Sequence, residues 1–300
     1  MDEVSKVSSS EKFRIGFLST AYHTSHILRE LKLVKAEWKL FGTGPEIIRA
    51  FESGKIDLAY IGLPPAIIGM ERGVDIVCIA GGHVEGTVIA GRGKSYLELG
   101  KDALKQLEGK RVGVPSKGSI HDVILRHIAE NLEFEIVNYP WADFILEDFV
   151  EGKLDAVCGT PSLVVLAAKF GAEILAPPGT LWNFNPSYGI VVREKFAKEE
   201  FLMDFLIKHE WACEFMKRYE LSSKVVFNAF NGLLSQDDIR TILEMSPKYC
   251  ASLPREYIDS TMRLVGAMQK LGYLSSPIRE NDIFDKGLIE FVHPQSHHYS

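Results

Sequence analysis

The chain resembles itself about 97 positions further along, and the matches fall on strand starts and on the turns that follow them. Arg14-Ile15-Gly16-Phe17-Leu18-Ser19 answers Arg111-Val112-Gly113-Val114-Pro115-Ser116, and Ile27-Leu28-Arg29 answers Ile124-Leu125-Arg126. Phe51-Glu52-Ser53-Gly54-Lys55-Ile56-Asp57 answers Phe149-Val150-Glu151-Gly152-Lys153-Leu154-Asp155, and Gly62-Leu63-Pro64 answers Gly159-Thr160-Pro161. Two copies of this length are too long for a solenoid unit and too few for a stacked array. They imply two similar α/β lobes, and two lobes facing each other make a cleft.

The first copy alternates short apolar runs with helical patterns. Gly44-Pro45-Glu46 opens a helix with proline at an early position, where its missing N–H costs nothing, and Gly54 closes it. Such alternation with short connections implies mostly parallel sheets. The expected fold is α/β, with two pseudo-symmetric, mostly parallel-sheet lobes and a helical C-terminal region. The apolar segments Thr87–Arg92 and Tyr188–Arg193 are read as the strands that cross between lobes. This places residues 1–88 and 194–300 in the first lobe and 89–193 in the second. Helices are expected over Leu97–Leu107, Phe201–Tyr219, Lys224–Asn231, Gln236–Glu244 and Arg255–Leu271 from their apolar spacing.

Composition narrows the function. A net charge of −6 with dispersed lysines and arginines argues against nucleic acid as a partner. No apolar run approaches the roughly 18 residues of a membrane-spanning helix. Cys78, Cys158, Cys213 and Cys250 are widely spaced and without a CxxC pair, so they read as buried small hydrophobes. Met1–Lys12 is polar and Ser-rich, a flexible lead without the apolar core of a signal peptide. The location is therefore cytoplasmic, or periplasmic or extracellular if an export signal has been removed.

In open α/β sheets, ligands lie beyond the carboxyl ends of the strands, where glycines permit close approach and helix N–H groups face outward. That rule selects Ser19, Thr20, His23, Thr43, Gly62, Leu63 and His83 in the first copy. In the second it selects Ser116, Gly118, Ser119, Asp143 and Thr160. The same residue types also cap helices and shape turns. His23, His26, His83 and His121 lack the i, i+4 spacing of helical zinc ligands, so no metal site is expected among them, and no cofactor. Glu85 is a candidate partner for a ligand amine. Trp141, Trp182, Phe184 and Tyr188 are candidates for stacking on a planar ligand or for packing between lobes. No arginine falls in a cleft turn.

The order Gly42-Thr43-Gly44-Pro45, Ser53-Gly54-Lys55-Ile56-Asp57 and Gly62-Leu63-Pro64-Pro65, followed by Ala80-Gly81-Gly82, Leu107 to Pro115 and Gly152 to Ala156, resembles a known family. It is similar to the type II periplasmic solute-binding proteins of ABC importers, in the nitrate/sulfonate/taurine branch, over about residues 13–195. The resemblance implies a monomeric binder that closes on a small anionic or polar organic solute. It also implies delivery to a membrane permease coupled to an ATPase. Enzymes on the same scaffold, of the thiamine-pyrimidine and menaquinone biosynthesis types, are the alternative, as is a binder of a planar heterocycle such as a pyrimidine. The chain lacks the cysteine-rich cluster of the first enzyme type and the asparagine-bearing first turn of the second.

Overall fold

The computed structural model describes residues 13–197, 200–230, 232 and 234–299. The expected lead, Met1–Lys12, lies outside them. The first half runs β1 Arg14–Leu18, α1 Ser25–Glu30, β2 Glu37–Phe41, α2 Gly44–Glu52, β3 Leu58–Ile61, α3 Leu63–Glu71 and β4 Ile76–Val84. The second runs β5 Val88–Gly91, α4 Tyr96–Leu99, β6 Arg111–Val114, α5 Ile120–Ala129, β7 Glu135–Asn138, α6 Ala142–Val150, β8 Ala156–Gly159, α7 Pro161–Ala168 and β9 Glu173–Ala176. After β10, Pro186–Arg193, come α8 Glu200–Met216, α9 Tyr219–Ala229, α10 Gln236–Met245, α11 Arg255–Lys270, α12 Glu280–Ile283 and α13 Gly287–Val292.

There are two five-stranded sheets with matching order, β2-β1-β3-β10-β4 and β7-β6-β8-β5-β9. In each, the first three strands are parallel and the fourth is antiparallel. The repeat thus becomes a repeated sheet. The crossing segments fall differently from the sequence reading. The strand β5 lies wholly in the second sheet and β10 wholly in the first, paired with β3 and β4. The chain changes sheets at residues 85–87 and 177–185, so Tyr188–Arg193 belongs with the first half. Tyr188 is fully buried there. The helix expected over Leu97–Leu107 is one turn, α4, followed by a 3₁₀ segment, because Gly100 takes a left-handed φ of 57°.

The two crossings are tied to each other. The Glu85 N–H donates to Asn185 O at 2.8 Å, Gly86 N–H to Ser187 Oγ at 2.7 Å, and Phe184 N–H to Glu85 Oε1 at 2.9 Å. Glu85 also pairs with Lys248 at 2.7 Å. Its carboxylate, a candidate for a ligand amine, is spent on the crossing. Gly82 lies so close to Tyr188 that an added Cβ would come within 2.1 Å of the ring.

The repeated Arg and Asp have a direct physical role. Arg14 N–H donates to Asp57 Oδ2 at 3.0 Å, and Arg111 N–H donates to Asp155 Oδ2 at 2.9 Å. Each arginine side chain also reaches a carbonyl in the turn before its aspartate, Gly54 O at 2.6 Å and Lys153 O at 2.7 Å. These bonds fasten the start of each sheet's central strand to the start of its neighbour. The copies differ in strength. Arg14 grips both Asp57 oxygens, at 2.9 and 2.6 Å, and the carboxylate is 7% exposed. Burial raises the Asp57 carboxyl, but the Arg14 hydrogen bonds and charge outweigh it and hold it below its ordinary value. Arg111 turns instead to Glu135, and the Asp155 side chain is 41% exposed.

Replacing Asp57 by alanine is therefore expected to cost about 1.5–3 kcal/mol, the usual loss for hydrogen bonds to a charged group. Asp155→Ala should cost less than about 1 kcal/mol, as exposed pairs do. Urea denaturation of the two variants checks this, and equal losses would contradict it.

Candidate ligand-binding site

A cavity of about 650 Å³ lies between the two halves, at the carboxyl ends of β1, β2 and β3 on one side and of β6, β7 and β8 on the other. The turns that follow those strands supply Ser19, Thr20, Gly42, Thr43 and Gly62 from the first half. From the second come Pro115, Ser116, Ser119, Trp141, Asp143 and Thr160. Nine of the twelve residues singled out from sequence line this space: Ser19, Thr20, His23, Thr43, Gly62, Ser116, Ser119, Asp143 and Thr160.

The other three do not line it. Leu63 is fully buried in the first-half core. Gly118 adopts a left-handed φ of 80° and donates its N–H to Asp122 Oδ2 at 2.9 Å, so its glycine serves the turn. His83 is buried behind Tyr22, whose ring stacks on it at 4.4 Å, and its Nε2 donates to Ser246 O at 2.8 Å.

Capping and cavity lining coincide at three hydroxyls. Thr43 Oγ1 accepts from Glu46 N–H at 3.4 Å, Ser119 Oγ from Asp122 N–H at 3.2 Å, and Thr160 Oγ1 from Leu163 N–H at 3.4 Å. Each bond uses a lone pair and leaves the hydroxyl hydrogen available to donate. Three helix starts, of α2, α5 and α7, therefore present O–H donors toward one space.

Among the described residues one cationic side chain lines the cavity, at a position that the strand-end rule does not select. Arg29 lies in the last turn of α1, beyond the strand-end turn. His26 and Arg29, three apart on α1, continue from His23 of the preceding turn down the cavity wall at intervals of three. That spacing is the signal that would have found it. The Arg29 guanidinium sits 4.3 Å from the centre of the Phe17 ring. Among the described residues no carboxylate lies within ion-pair distance of it. Burial lowers its pKa, with Glu30 opposing.

The histidines of the wall are neutral. His26 Nε2 donates to Thr20 O at 3.0 Å, which leaves Nδ1 as a buried acceptor without a partner among the described residues. Burial first, then Arg29, lowers its pKa to about 4. His121 is held by Thr87 Oγ1 at 3.0 Å, and burial lowers it to about 4. His23, 2% exposed, is lowered well below its ordinary value by burial and by the neighbouring histidines. The lone carboxylate of the lining, Asp143, is exposed at the rim.

Aromatic rings complete the walls: Phe17, Tyr22, Trp38, Trp141 and Phe230. Of the four aromatics weighed from sequence, only Trp141 is among them. Trp182 donates Nε1–H to Ser260 Oγ, Phe184 packs on Tyr299, and Tyr188 is in the core. Trp141, from the second half, covers Gly42 of the first so closely that a Cβ there would meet its ring at 2.1 Å. Tyr273 OH donates to the buried Asp122, and Lys169 pairs with Asp238 at 2.6 Å. The two halves thus meet around the cavity. The only cluster of three or more metal-capable side chains among the described residues lies elsewhere, in Glu210, Cys250, His293 and His298.

The architecture is that of the periplasmic binding proteins. Residues 7–225 match the NMT1-like family, and the chain belongs to it. Comparison with curated protein sequences gives no match. Among solved structures it is similar to the ligand-binding component of an ABC-type import system from Staphylococcus aureus, solved with zinc bound. That likeness has 16% identity and a TM-score of 0.79 over 95% of this chain and 100% of that one. It is also similar to the periplasmic aliphatic sulphonate binding protein of Escherichia coli, at 19% identity and TM-score 0.76 over 93% of each chain. The periplasmic nitrate-binding protein of Synechocystis PCC 6803 follows at 16% identity and TM-score 0.73, over 93% of this chain and 87% of that one. At these identities the likeness is one of fold.

Histidines buried neutral bind protons in the unfolded chain that they refuse in the folded one. The stability they confer is fully present above about pH 6.5 and is lost as pH falls toward about 4. Each contributes a slope of up to about 1.4 kcal/mol per pH unit in that window. The melting temperature should therefore fall between pH 6.5 and 5, before the carboxylates titrate, and His121→Gln should flatten the fall. A flat profile down to pH 5 would show that these groups are not neutral in the folded protein.

Proposed function

We propose that this protein is the solute-capturing component of an ABC import system and that it closes its two halves around a small organic anion. The observation that carries this reading is Arg29, a cation with no carboxylate partner among the described residues, in an interlobe cavity ringed by hydroxyl donors. An anionic headgroup offers only acceptors, and the site offers a guanidinium and three capping hydroxyls to meet them. The aromatic walls suit an apolar body. The cavity volume falls within the roughly 300–1,000 Å³ range of small-molecule sites and is far larger than nitrate alone needs. Organosulfonates and organocarboxylates are the expected classes. The protein acts as a monomer outside the cytoplasmic membrane and hands its ligand to a permease coupled to an ATPase.

A second reading is favoured by the neutral histidine acceptors and the two tryptophans of the wall. It is a neutral planar heterocycle such as a pyrimidine, bound by stacking and by N–H donation to His26 Nδ1. An enzyme would need a nucleophile or an acid–base pair near the reacting atoms. His26 and His121, lowered to about 4, are poor general bases at neutral pH.

Thermal-shift screening separates these readings. An organosulfonate or organocarboxylate at about 100 times its dissociation constant should stabilise the protein by about 2.7 kcal/mol. Arg29→Ala should abolish that shift while leaving the melting temperature of the free protein nearly unchanged. Thr43 or Ser119 replaced by a bulky residue should also weaken binding. Stabilisation by pyrimidines and not by anions would overturn the anion reading. Chemical conversion of the bound compound, followed by mass spectrometry, would overturn the binding reading itself.

A further inference from the structure

Apart from the cavity lining, four side chains from separate parts of the chain converge. Glu210 comes from α8, Cys250 from the segment after α10, and His293 and His298 from the C-terminal tail after α13. One ligand atom of each lies within 4.8 Å of all the others. Cys250 Sγ is 3.5 Å from His293 Nε2, and Glu210 Oε1 is 3.6 Å from the same nitrogen. These separations match the edges of a tetrahedron around zinc, about 3.3–3.6 Å for metal–ligand bonds of about 2.0–2.3 Å.

The atoms not aimed at the centre are already engaged. His293 Nδ1 donates to Gln295 O at 3.0 Å, which fixes the tautomer and leaves Nε2 a lone pair. Glu210 Oε2 accepts from Ala251 N–H at 2.9 Å, leaving Oε1 for the centre. Ser252 Oγ lies 3.0 Å from Cys250 Sγ, placed to donate to a thiolate. Behind His298, Glu214 Oε1 stands 2.6 Å from Nδ1. Lys217 Nζ also lies 2.7 Å from that Nδ1, 2.7 Å from His298 O and 3.0 Å from Glu214. For Nδ1–H to turn to Glu214, Lys217 moves off Nδ1 and keeps the carbonyl and the carboxylate.

We infer that Glu210, Cys250, His293 and His298 form a structural site for a divalent transition metal of the zinc class, which pins the C-terminal tail to α8. A thiolate, a carboxylate and two imidazoles suit zinc in donor type and number, and neutralise its charge. Four protein ligands leave no open position, as in structural rather than catalytic sites. The shortest separation, Glu210 Oε1 to His298 Nε2 at 2.5 Å, opens by about an ångström to admit the ion. His298 is on the tail and partly exposed, so it can make that movement. A recess of about 300 Å³ lined by Ser252, His293 and His297 gives a metal a way in from solvent.

The test titrates the full chain, stripped by a chelator, with cobalt(II) and then zinc(II). One equivalent of cobalt should give intense visible bands of a tetrahedral site and a near-ultraviolet thiolate-to-cobalt band, both removed by one equivalent of zinc. Cys250→Ser should lose the thiolate band, and His298→Ala the stoichiometric step. His298→Ala changes a partly exposed side chain, so the test stands even if Cys250→Ser fails to fold. Glu214→Gln should weaken cobalt binding about 10–100-fold, the usual effect of losing a carboxylate behind a ligating histidine. Weak octahedral cobalt spectra, or a stoichiometric step that survives in His298→Ala, would overturn the inference and leave the cluster a hydrogen-bonded anchor of the tail.

Discussion

Everything here depends on two chain crossings that must run side by side. The strand β10 completes the first sheet but arrives only after the second has been built, and β5 leaves the first half to complete the second sheet. The first half is built from two separated stretches of sequence, and the second half from one stretch inserted between them. Segments 85–87 and 177–185 share the route, and Glu85 binds them together through its backbone and its carboxylate. The position is demanding, because Glu85 itself holds a left-handed φ of 63°. A residue with a polar side chain that can bond its surroundings is suited to offset that strain. The cavity lies between two sheets that this junction brings into opposition.

Much of the fold was legible because the repeat preserves contacts and not only composition. Arg14 with Asp57 and Arg111 with Asp155 recur because each pair joins two strand starts in the same way. What sequence could not place was the membership of β10. Its residues are apolar on both faces, so a strand that closes one sheet reads the same as a strand passing to the other. The over-long helix at 97–107 failed for a local reason, a single glycine with positive φ. The long helices α8, α10 and α11 appear close to where apolar spacing put them, because amphipathic patterns of that length leave little ambiguity.

The cavity was legible only as far as the strand-end rule reaches. That rule selects turn residues, and most of those it selected line the space. Its misses are informative. Leu63, Gly118 and His83 occupy turn or strand-end positions, yet each faces the protein, since a turn has an inner and an outer side that a one-dimensional pattern does not separate. Arg29 lies a helical turn deeper, where the rule does not look, and only the interval of three from His23 and His26 connects it to the wall.

Trp141 over Gly42 joins the two halves within the cavity lining, while Tyr273 to Asp122 and Lys169 to Asp238 join them through residues that do not line it. If the halves close around a solute as proposed, contacts of this kind would set how long it stays, and capture would scale with the fraction of open, receptive molecules. On that reading the lining sets selectivity, and the bridges outside it set residence. The two properties can therefore drift apart in evolution, each by substitutions that leave the other untouched.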